Sequence, residues 1–360
     1  MPNYYSSLIK REKNRSRRRQ IILGIIFIML LGAAIAGYLG YSMVYKPNVW
    51  LNGQPSMAFN IKSGSTWEDV KQMLYKNGTI VHRASFEQLA GIMKYPAHIK
   101  SGHYVIREGM SNKQILSKLR SKQQDPVKLV FNNIRIKQEL AGHIGEQIEA
   151  DSVTLLKLLN DADYLKKFGF TPANVISMFI PNTYEVYWDI TAEKFMERMH
   201  KEYTAFWTEK RKARLAEIRL TELQSMTLAS IVEKESNQND EKPDIAGVYM
   251  NRLRDGWLLQ ADPTLVYALG DFSIKRVLNV YKTIDSPYNT YKYFGLPPGP
   301  ICLPSISSID AVLNYRQHKY MYFCAREDFS GYHNFAVTMN EHLLNAAKYQ
   351  QALDQKGILK

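Results

Sequence analysis

The chain has 360 residues, of which 45% are apolar and 12% aromatic, and it carries a net charge of +13. This length allows two or more domains, and this much apolar and aromatic material excludes a protein that is disordered throughout. Its two cysteines, Cys302 and Cys324, are too few for a disulfide-built scaffold, and the sequence leaves open whether they form a bond.

Residues 1–20 form a basic tail with seven lysines and arginines against one glutamate. Residues 21–44, IILGIIFIMLLGAAIAGYLGYSMV, follow without a charge. At about 1.5 Å of rise per residue, one helix of this length crosses a hydrocarbon core of roughly 30 Å. Because lysine and arginine mark the cytoplasmic side, we expect a single-pass membrane anchor with a cytoplasmic N-terminus and the remaining chain outside.

Two other interpretations of this region are a cleaved signal peptide, with AIA at 34–36 as its cleavage site, and a twin-arginine signal in SRRRQ. The apolar run is long for a signal peptide and the twin-arginine match is incomplete, so we favour the permanent anchor. Either alternative also places the body outside the cytoplasm. The tail carries +6 of the net charge, which leaves +7 on the other 340 residues and no reason to expect a nucleic-acid partner.

A juncture at 45–55 leads into a small domain at 56–124, in which one pattern occurs twice. Each copy starts as a strand-like stretch, passes a glycine, Gly64 or Gly109, and enters an amphipathic helix. Thr66 and Asp69 have the spacing of a capping box at the start of the first helix. We therefore expect two strand–turn–helix units within this domain, whose likeness reflects either a common design or the pattern that all such units share.

Residues 125–220 are predicted to form a mainly helical middle region. VKLVF at 127–131 predicts a strand at its start. Residues 192–220 predict one charged amphipathic helix, whose basic residues we interpret as a solvated face rather than as a site for an anionic polymer.

The segment 221–350 has the strongest helix signals, and a short tail, 351–360, follows it. Thr221 and Gln224 predict a capping box at the start of one helix. A second helix is predicted to start at Pro243 and to stop at Gly256. Short strands and turns come next, which favours an α+β fold over an alternating parallel one.

Two carboxylates, Glu233 and Glu235, lie near the end of the first of these helices. At about 100° per residue they point in directions roughly 200° apart. They therefore cannot share one proton as a dyad, and at most one of them faces a given cleft.

The following hundred residues supply hydroxyls, amides and aromatic rings in turns stiffened by glycine and proline. Such side chains stack on sugar rings and hold sugar hydroxyls, so the pattern indicates a sugar-binding cleft. The candidates are Asn251, Arg252, Gln260, Asp262, Thr264, Tyr288, Asn289, Tyr291 and His333. The histidines are scattered and C-x-x-C and H-E-x-x-H motifs are absent, so we expect no metal and no cofactor.

Four segments, in order, resemble the endolytic murein transglycosylase (YceG-like) family: ASIVEKES at 229–236, AGVYMNRLRDGWLLQADPTLVYALG at 246–270, SPYNTYKYFGLPPGPI at 286–301 and YFCAREDFSGYHNFAVTMNEH at 322–342. A weaker likeness covers 178–187 and the small domain, which resembles the family's LysM-like module. The resemblance implies an enzyme anchored in the bacterial inner membrane that cleaves the MurNAc–GlcNAc bond of nascent peptidoglycan strands and leaves 1,6-anhydro-MurNAc ends. It also implies the cell-wall synthesis machinery as a partner and a mixed α/β catalytic domain at 221–350.

The resemblance places the catalytic glutamate on Glu235, which precedes Ser236. Glu233 becomes a supporting residue, paired with Lys234 or Arg252. The expected substrate contacts are Asn251, Gln260, Asp262, Asn289, Tyr291 and His333. The chain departs from the family pattern at Ile176, Ser177 and Asn182. The resemblance therefore does not predict its fine substrate selectivity.

One glutamate suffices in such an enzyme because it protonates the leaving oxygen and then accepts the proton of the C6 hydroxyl. An unperturbed glutamate titrates near about 4.3, so Glu235 has to be buried against apolar neighbours to hold a proton at neutral pH. We expect Met226, Leu228 and Ile231, with tyrosines from 288–293, to form the walls.

Two alternatives stay open. If Asp262 lies about 5 to 10 Å from Glu235 across a cleft, a two-carboxylate glycoside hydrolase becomes an option. The role that we favour for Asp262 is capping the turn before Thr264. The alternative from another class of protein is a catalytically inactive wall-binding scaffold.

Overall fold

The computed structural model describes residues 3–76, 78–274 and 276–356. The first two residues of the predicted basic tail and residues 357–360 of the predicted C-terminal tail lie outside these ranges. The chain divides into two compact units, residues 1–126 and 127–360.

The first unit combines one long helix with a small antiparallel sheet. Its elements are α1 Asn3–Tyr45, β1 Ser56–Ile61, α2 Trp67–Lys76, α3 Arg83–Ile92, a 3-10 turn Tyr95–Ala97, β2 Gly102–Arg107 and α4 Asn112–Arg120. Strands β1 and β2 pair with Ser56 opposite Arg107 and Ile61 opposite Gly102. The sheet and helices enclose their own core, which includes Phe86.

Helix α1 contains the whole predicted membrane span at 21–44. Over Leu8–Tyr45 the helix is long and apolar enough to cross a membrane. Large apolar side chains such as Phe27 and Leu30 are exposed along it. Apolar side chains without protein cover are what a membrane span presents to lipid.

The predicted repeat is visible in the backbone of the first unit. Strand β1 leads through a turn into α2, and β2 leads through a similar turn into α4. Gly64 and Gly109 have φ angles of +79° and +75°, which favour glycine because other residues are strained there. Thr66 and Asp69 exchange the two hydrogen bonds of the predicted capping box.

The second unit is mainly helical, with two short antiparallel sheets, β3–β4 and β5–β6. Its elements are β3 Val127–Val130, α5 Lys137–Gly145, α6 Ser152–Asn160, α7 Ala162–Lys166, a 3-10 turn Val175–Met178, β4 Thr183–Val186, α8 Ala192–Phe206, α9 Glu209–Ile218, α10 Glu222–Glu235, α11 Lys242–Arg254, α12 Asp262–Leu269, a 3-10 turn Asn279–Thr283, α13 Ile306–Leu313, β5 Tyr322–Ala325, β6 His333–Ala336 and α14 Met339–Gln355. The mixture of helices and strands agrees with the α+β prediction.

Helix α10 lies at the centre of this unit. Thr221 and Gln224 form the predicted capping box at its start, and every residue from Ser225 to Val232 is buried. The helix packs against α11, α12 and α13. The apolar core around it includes residues from Leu129 to Leu313. The same core therefore holds residues from both sides of position 220, where the middle region was predicted to end.

The prediction of one helix over 192–220 is wrong. Helix α8 ends at Phe206, and α9 begins at Glu209. Between them Trp207 is buried, and the Thr208 hydroxyl accepts a hydrogen bond from the main-chain N–H of Arg211. Burial of the indole and this N-cap break the helix, although the charge pattern continues through both halves.

The proline- and glycine-rich loop at 295–303 packs against α10. The main-chain N–H of Ile301 donates to Ser230 Oγ at 3.0 Å, and that of Leu303 donates to the carbonyl of Ile134 at 2.7 Å. Gly299 passes so close to another segment that an added Cβ would lie 2.0 Å from the carbonyl oxygen of Ala173. The loop is therefore held against the end of α10 where the two glutamates lie.

Candidate active site

Glu235 is the last residue of α10, and its side chain is half-buried at the meeting point of two cavities. The smaller cavity has a volume of about 280 Å³ and the larger one about 420 Å³. Asp262, the first residue of α12, also borders both. The two cavities form an open cleft with Glu235 near its middle.

The environment of Glu235 favours its protonated form. Burial raises the pKa of this carboxyl to about 7, and the negative charge of Asp262 adds to the rise. The phenol of Tyr249, on α11, opposes it by donating a 2.5 Å hydrogen bond to Glu235 Oε1. The net result is a carboxyl that gains and loses its proton near neutral pH.

Glu233 has the opposite environment, two residues away on the same helix. Its Oε2 accepts hydrogen bonds from Ser305 at 2.5 Å, from Ser308 and, at 3.1 Å, from the ammonium of Lys242. Burial alone would raise the pKa of Glu233. These donors outweigh that effect and lower the pKa below its ordinary value. Glu233 therefore stays ionised and joins α10 to α11 and α13.

The predicted partners of Glu233, Lys234 and Arg252, are wrong. The ammonium of Lys234 donates to Asn133 Oδ1 at 2.7 Å. The guanidinium of Arg252 is buried and donates to the main-chain carbonyls of Leu259 and Met321. Arg252 thus supports the cleft by joining α11 to β5.

Asp262 does not cap the turn before Thr264, because its carboxylate accepts a hydrogen bond from the phenol of Tyr291. Burial raises the pKa of Tyr291, and this hydrogen bond to Asp262 raises it further. The turn is held instead by Thr264 Oγ1, which donates to the carbonyl of Ala261 at 2.7 Å. Asp262 is therefore exposed and faces the cleft.

His333, at the start of β6, borders the larger cavity and is tied to the residue that follows Glu235. Its main-chain N–H and its Nδ1 contact the two oxygens of buried Glu241, at 2.7 and 2.8 Å. Ser236 Oγ donates to the same carboxylate at 3.2 Å. The contact between His333 Nδ1 and Glu241 leaves Nε2 as the ring nitrogen available to the cavity.

Gln260 is exposed in the wall of the larger cavity and has a φ of +52°. This left-handed backbone is sparsely populated outside glycine and often occurs at functional sites. The main-chain N–H of Gln260 donates to the carbonyl of Thr290 at 3.0 Å, which fixes this conformation. The main chain of Gln260 is therefore fixed in the cavity wall.

Two predicted substrate contacts, Asn251 and Asn289, are buried structural residues instead. The side-chain nitrogen of Asn251 donates at 2.9 Å to the carbonyls of His318 and Tyr320. That of Asn289 donates to the carbonyls of Lys282 and Ile284, at 3.0 and 2.8 Å. With both amide N–H groups used, these side chains shape the loops around the cleft without facing it.

The expectation that Met226, Leu228 and Ile231 form the walls is wrong, whereas Tyr291, from the expected 288–293 segment, borders the larger cavity. Met226, Leu228 and Ile231 are fully buried in the core and do not border either cavity. The apolar wall of the smaller cavity comes from α12 and the chain after it, with Val266, Tyr267, Phe272, Ile274, Val277 and Ile301.

The sequence reasoning missed Tyr249 and Glu241. Tyr249 sits on the apolar stripe of α11, where a phenol that is buried still needs a partner for its O–H. That rule was the available signal for Tyr249. Among the described residues, no three His, Cys, Asp or Glu side chains are grouped as metal ligands, and Cys302 and Cys324 are both free.

A carboxyl with a pKa near neutrality in the wall of an open cleft, within a mixed helix–strand unit, is what an acid–base enzyme requires. The chain belongs to the YceG-like family, whose family model matches residues 59–348. These residues include the small domain from Phe59 onward and all the cleft residues described above.

Curated relatives and a solved structure agree with this assignment. An endolytic murein transglycosylase of Bacillus subtilis (strain 168) is 28% identical over 89% of this chain and 92% of its own length. One of Streptococcus pneumoniae serotype 2 is 26% identical over 91% of this chain, which spans 65% of that relative. The crystal structure of a yceG-like protein from Listeria monocytogenes is 28% identical with a TM-score of 0.55, covering 81% of this chain and 98% of its own. The predicted family and enzyme class, a lytic transglycosylase, are confirmed.

Proposed function

We propose that this chain is a membrane-anchored endolytic peptidoglycan transglycosylase that uses Glu235 as its single general acid and base. One observation carries the proposal: a half-buried carboxyl with a pKa of about 7 lies in the wall of an open cleft. A catalytic group that gives up a proton and takes one back works best when its pKa lies near the working pH.

The chemistry needs no second carboxylate. Protonated Glu235 donates its proton to the glycosidic oxygen between MurNAc and GlcNAc as the bond from that oxygen to MurNAc C1 breaks. Ionised Glu235 then accepts the proton of the MurNAc C6 hydroxyl, whose oxygen bonds to C1 and closes the 1,6-anhydro ring. The glutamate ends in its starting state and no water is consumed.

Tyr249 orients the carboxyl for both steps. It holds Oε1, and no described residue hydrogen-bonds to Oε2. Oε2 is therefore the oxygen that meets the substrate. A carboxyl fixed at one oxygen loses less freedom when the sugar binds, which is how positioning lowers a barrier.

An endolytic cut requires sugar sites on both sides of the broken bond. The cavities that meet at Glu235 and Asp262 supply room on both sides. We assign the sugar contacts of the larger cavity to Gln260, Asp262, Tyr291 and His333, which border it with polar groups. Such polar groups around an apolar floor are typical of ligand sites.

We further propose that residues 21–44 form a single-pass anchor in the inner membrane with a cytoplasmic N-terminus, which leaves the catalytic unit outside. The apolar helix and the preceding basic tail support this orientation. The strand–helix–helix–strand arrangement at 56–107 supports a LysM-like module that binds glycan. Nascent strands near the membrane are then the substrate, and the synthesis machinery is the partner that delivers them.

The test is digestion of purified sacculi by the full-length protein in detergent, with the fragments read by mass spectrometry. We expect 1,6-anhydro ends from the wild type, none above background from Glu235→Gln, and wild-type yield from Glu209→Gln. Glu209 is a matched control because its side chain is 93% exposed on α9. Equal digestion by Glu235→Gln and wild type would refute the catalytic role, and an inert wild type would leave the scaffold alternative.

A second candidate function is supported by one observation, since Asp262 borders the same two cavities as Glu235. In a two-carboxylate hydrolase one group would be the acid and the other the base or nucleophile. Its fragments would end in reducing sugars rather than anhydro sugars, so the same digestion separates the two functions.

A further inference from the structure

The smaller cavity carries two cations beside Glu235 that the proposed mechanism does not use. Arg135, from the loop between β3 and α5, and Lys234, from the last turn of α10, both border it. Both side chains are half-buried. The apolar part of its lining comes from α12 and the chain after it, which includes Phe272.

The segment 133–135 connects the two cations, because Asn133 binds Lys234 and lies two residues before Arg135. Lys234 donates to Asn133 Oδ1 at 2.7 Å, and Asn133 has a left-handed φ of +50°. The next residue, Ile134, accepts the 2.7 Å hydrogen bond from Leu303 N–H. The guanidinium of Arg135 lies 4.8 Å from the centre of the Phe272 ring, which supports its flat face.

Neither side chain is ion-paired within the part of the chain that the structure describes, although the carboxylate of Glu139 accepts a hydrogen bond from the main-chain N–H of Arg135 at 2.9 Å. No carboxylate lies within ion-pair distance of Arg135 or Lys234 in the described ranges, whereas Lys242, one helix further on, pairs with Glu233. The edges of the guanidinium have no hydrogen-bond acceptor there either. Two half-buried cations without ion-pair partners in a concave wall favour an anionic ligand, and a guanidinium fork matches a carboxylate.

We propose that this basic end of the cleft, Arg135 and Lys234, binds a carboxylate carried on the lactyl arm of MurNAc. This inference rests on the proposed function, because it names the substituent that the strand presents beside the cleaved bond. The carboxylate has two sources: a carboxyl of the attached stem peptide or, when the stem is absent, the lactyl carboxyl itself. In either case the cations select strands that carry a negative charge at this point.

The experiment compares three glycan substrates with the full-length protein in detergent. The first retains its peptide stems, the second retains stems whose carboxyls have been coupled to methylamine, and the third has lost its stems to an amidase, which frees the lactyl carboxyl. The variants are Arg135→Gln, Lys234→Met and, as a control, Arg254→Gln. Arg254 is exposed and paired with its neighbour Asp255, so the control removes one charge elsewhere on the same unit.

We expect wild-type kcat/KM to be about tenfold higher on charged stems than on amidated stems, as for a charge-assisted hydrogen bond. Arg135→Gln and Lys234→Met should remove this preference while leaving cleavage of amidated strands at the wild-type rate. Arg254→Gln should keep the preference. Rapid cleavage of stem-free strands that depends on Arg135 identifies the lactyl carboxyl as the ligand, and slow cleavage identifies the stem.

Equal wild-type rates on all three substrates would overturn the proposal. The proposal would also be overturned if Arg135→Gln or Lys234→Met slowed cleavage of all three substrates equally while the thermal unfolding midpoint stayed unchanged. Such a loss of activity would not depend on the charge of the substrate. These results differ from failure of the proposed function, in which the wild type forms no anhydro ends from any substrate and this inference falls with it.

Discussion

Tyr249 and Glu235 lie on successive helices, and the phenol of the first donates a 2.5 Å hydrogen bond to the carboxyl of the second. Burial pushes the pKa of Glu235 up while this bond pulls it down, and the balance is about 7. This pKa decides at which pH the proposed acid carries its proton. Substitutions of the neighbours of Glu235 should therefore shift it.

Activity should fall as the pH rises through about 7. The proton donor is the protonated carboxyl, and burial keeps it protonated up to a pKa of about 7. We expect kcat/KM for anhydro-end formation to decline about tenfold per pH unit well above this value. A pH profile on stem-bearing strands checks it. A profile that stays flat from pH 6 to 9 would contradict the assignment.

Tyr249→Phe should move this alkaline limb to higher pH. The phenol stabilises the ionised carboxylate, so its loss favours the protonated form of Glu235. The ring stays in place against Phe323, so the fold should be retained, while kcat falls about tenfold because the carboxyl is no longer oriented. A loss of activity without movement of the limb would mean that the bond does not act on Glu235.

Asp262→Asn should move the limb in the opposite direction. The charge of Asp262 raises the pKa of Glu235, so its removal allows Glu235 to ionise at lower pH. The products should keep their anhydro ends at a reduced rate, as Tyr291 loses a charged partner. Abolished activity, together with reducing ends from the wild type, would instead favour the two-carboxylate hydrolase.

Glu233→Gln should destabilise the second unit by about 2 to 4 kcal/mol at neutral pH, because it leaves the buried ammonium of Lys242 without its charged partner. The pKa of Glu233 is lowered from 4.5, so its stabilisation is complete above that value and is lost as the pH falls through the lowered one. Thermal unfolding should show a lower Tm than wild type at pH 7, with the difference shrinking in acid. Equal Tm values at pH 7 would contradict this role.

The sequence was informative where a local rule applied. Capping boxes at Thr66 and Thr221, the glycine turns and the apolar helix all depend on residues a few positions apart, and the structure has them as predicted. Glu235 was predicted as the site residue from its motif, and its raised pKa supports that role. The two glutamates were expected to differ because they point in different directions.

The remainder depends on contacts between distant residues. Ser305 and Ser308 reach Glu233 across more than 70 positions, and Arg252 joins β5 across 69. The two asparagines, Asn251 and Asn289, show why composition misleads here. An amide that suits a sugar hydroxyl suits a main-chain carbonyl equally well, and only the packing decides between them.

Gly299 borders neither of the two cavities that meet at Glu235, yet its main chain passes where no side chain fits, beside the carbonyl of Ala173. Even a methyl group there would push the 295–303 loop off Ser230 and away from the end of α10. A genetic screen for inactive alleles should therefore recover substitutions at Gly299 as well as at Glu235. The Gly299 alleles should lower the abundance of the protein, whereas the Glu235 alleles should not. Mapping such alleles would trace the support of the cleft as well as its chemistry.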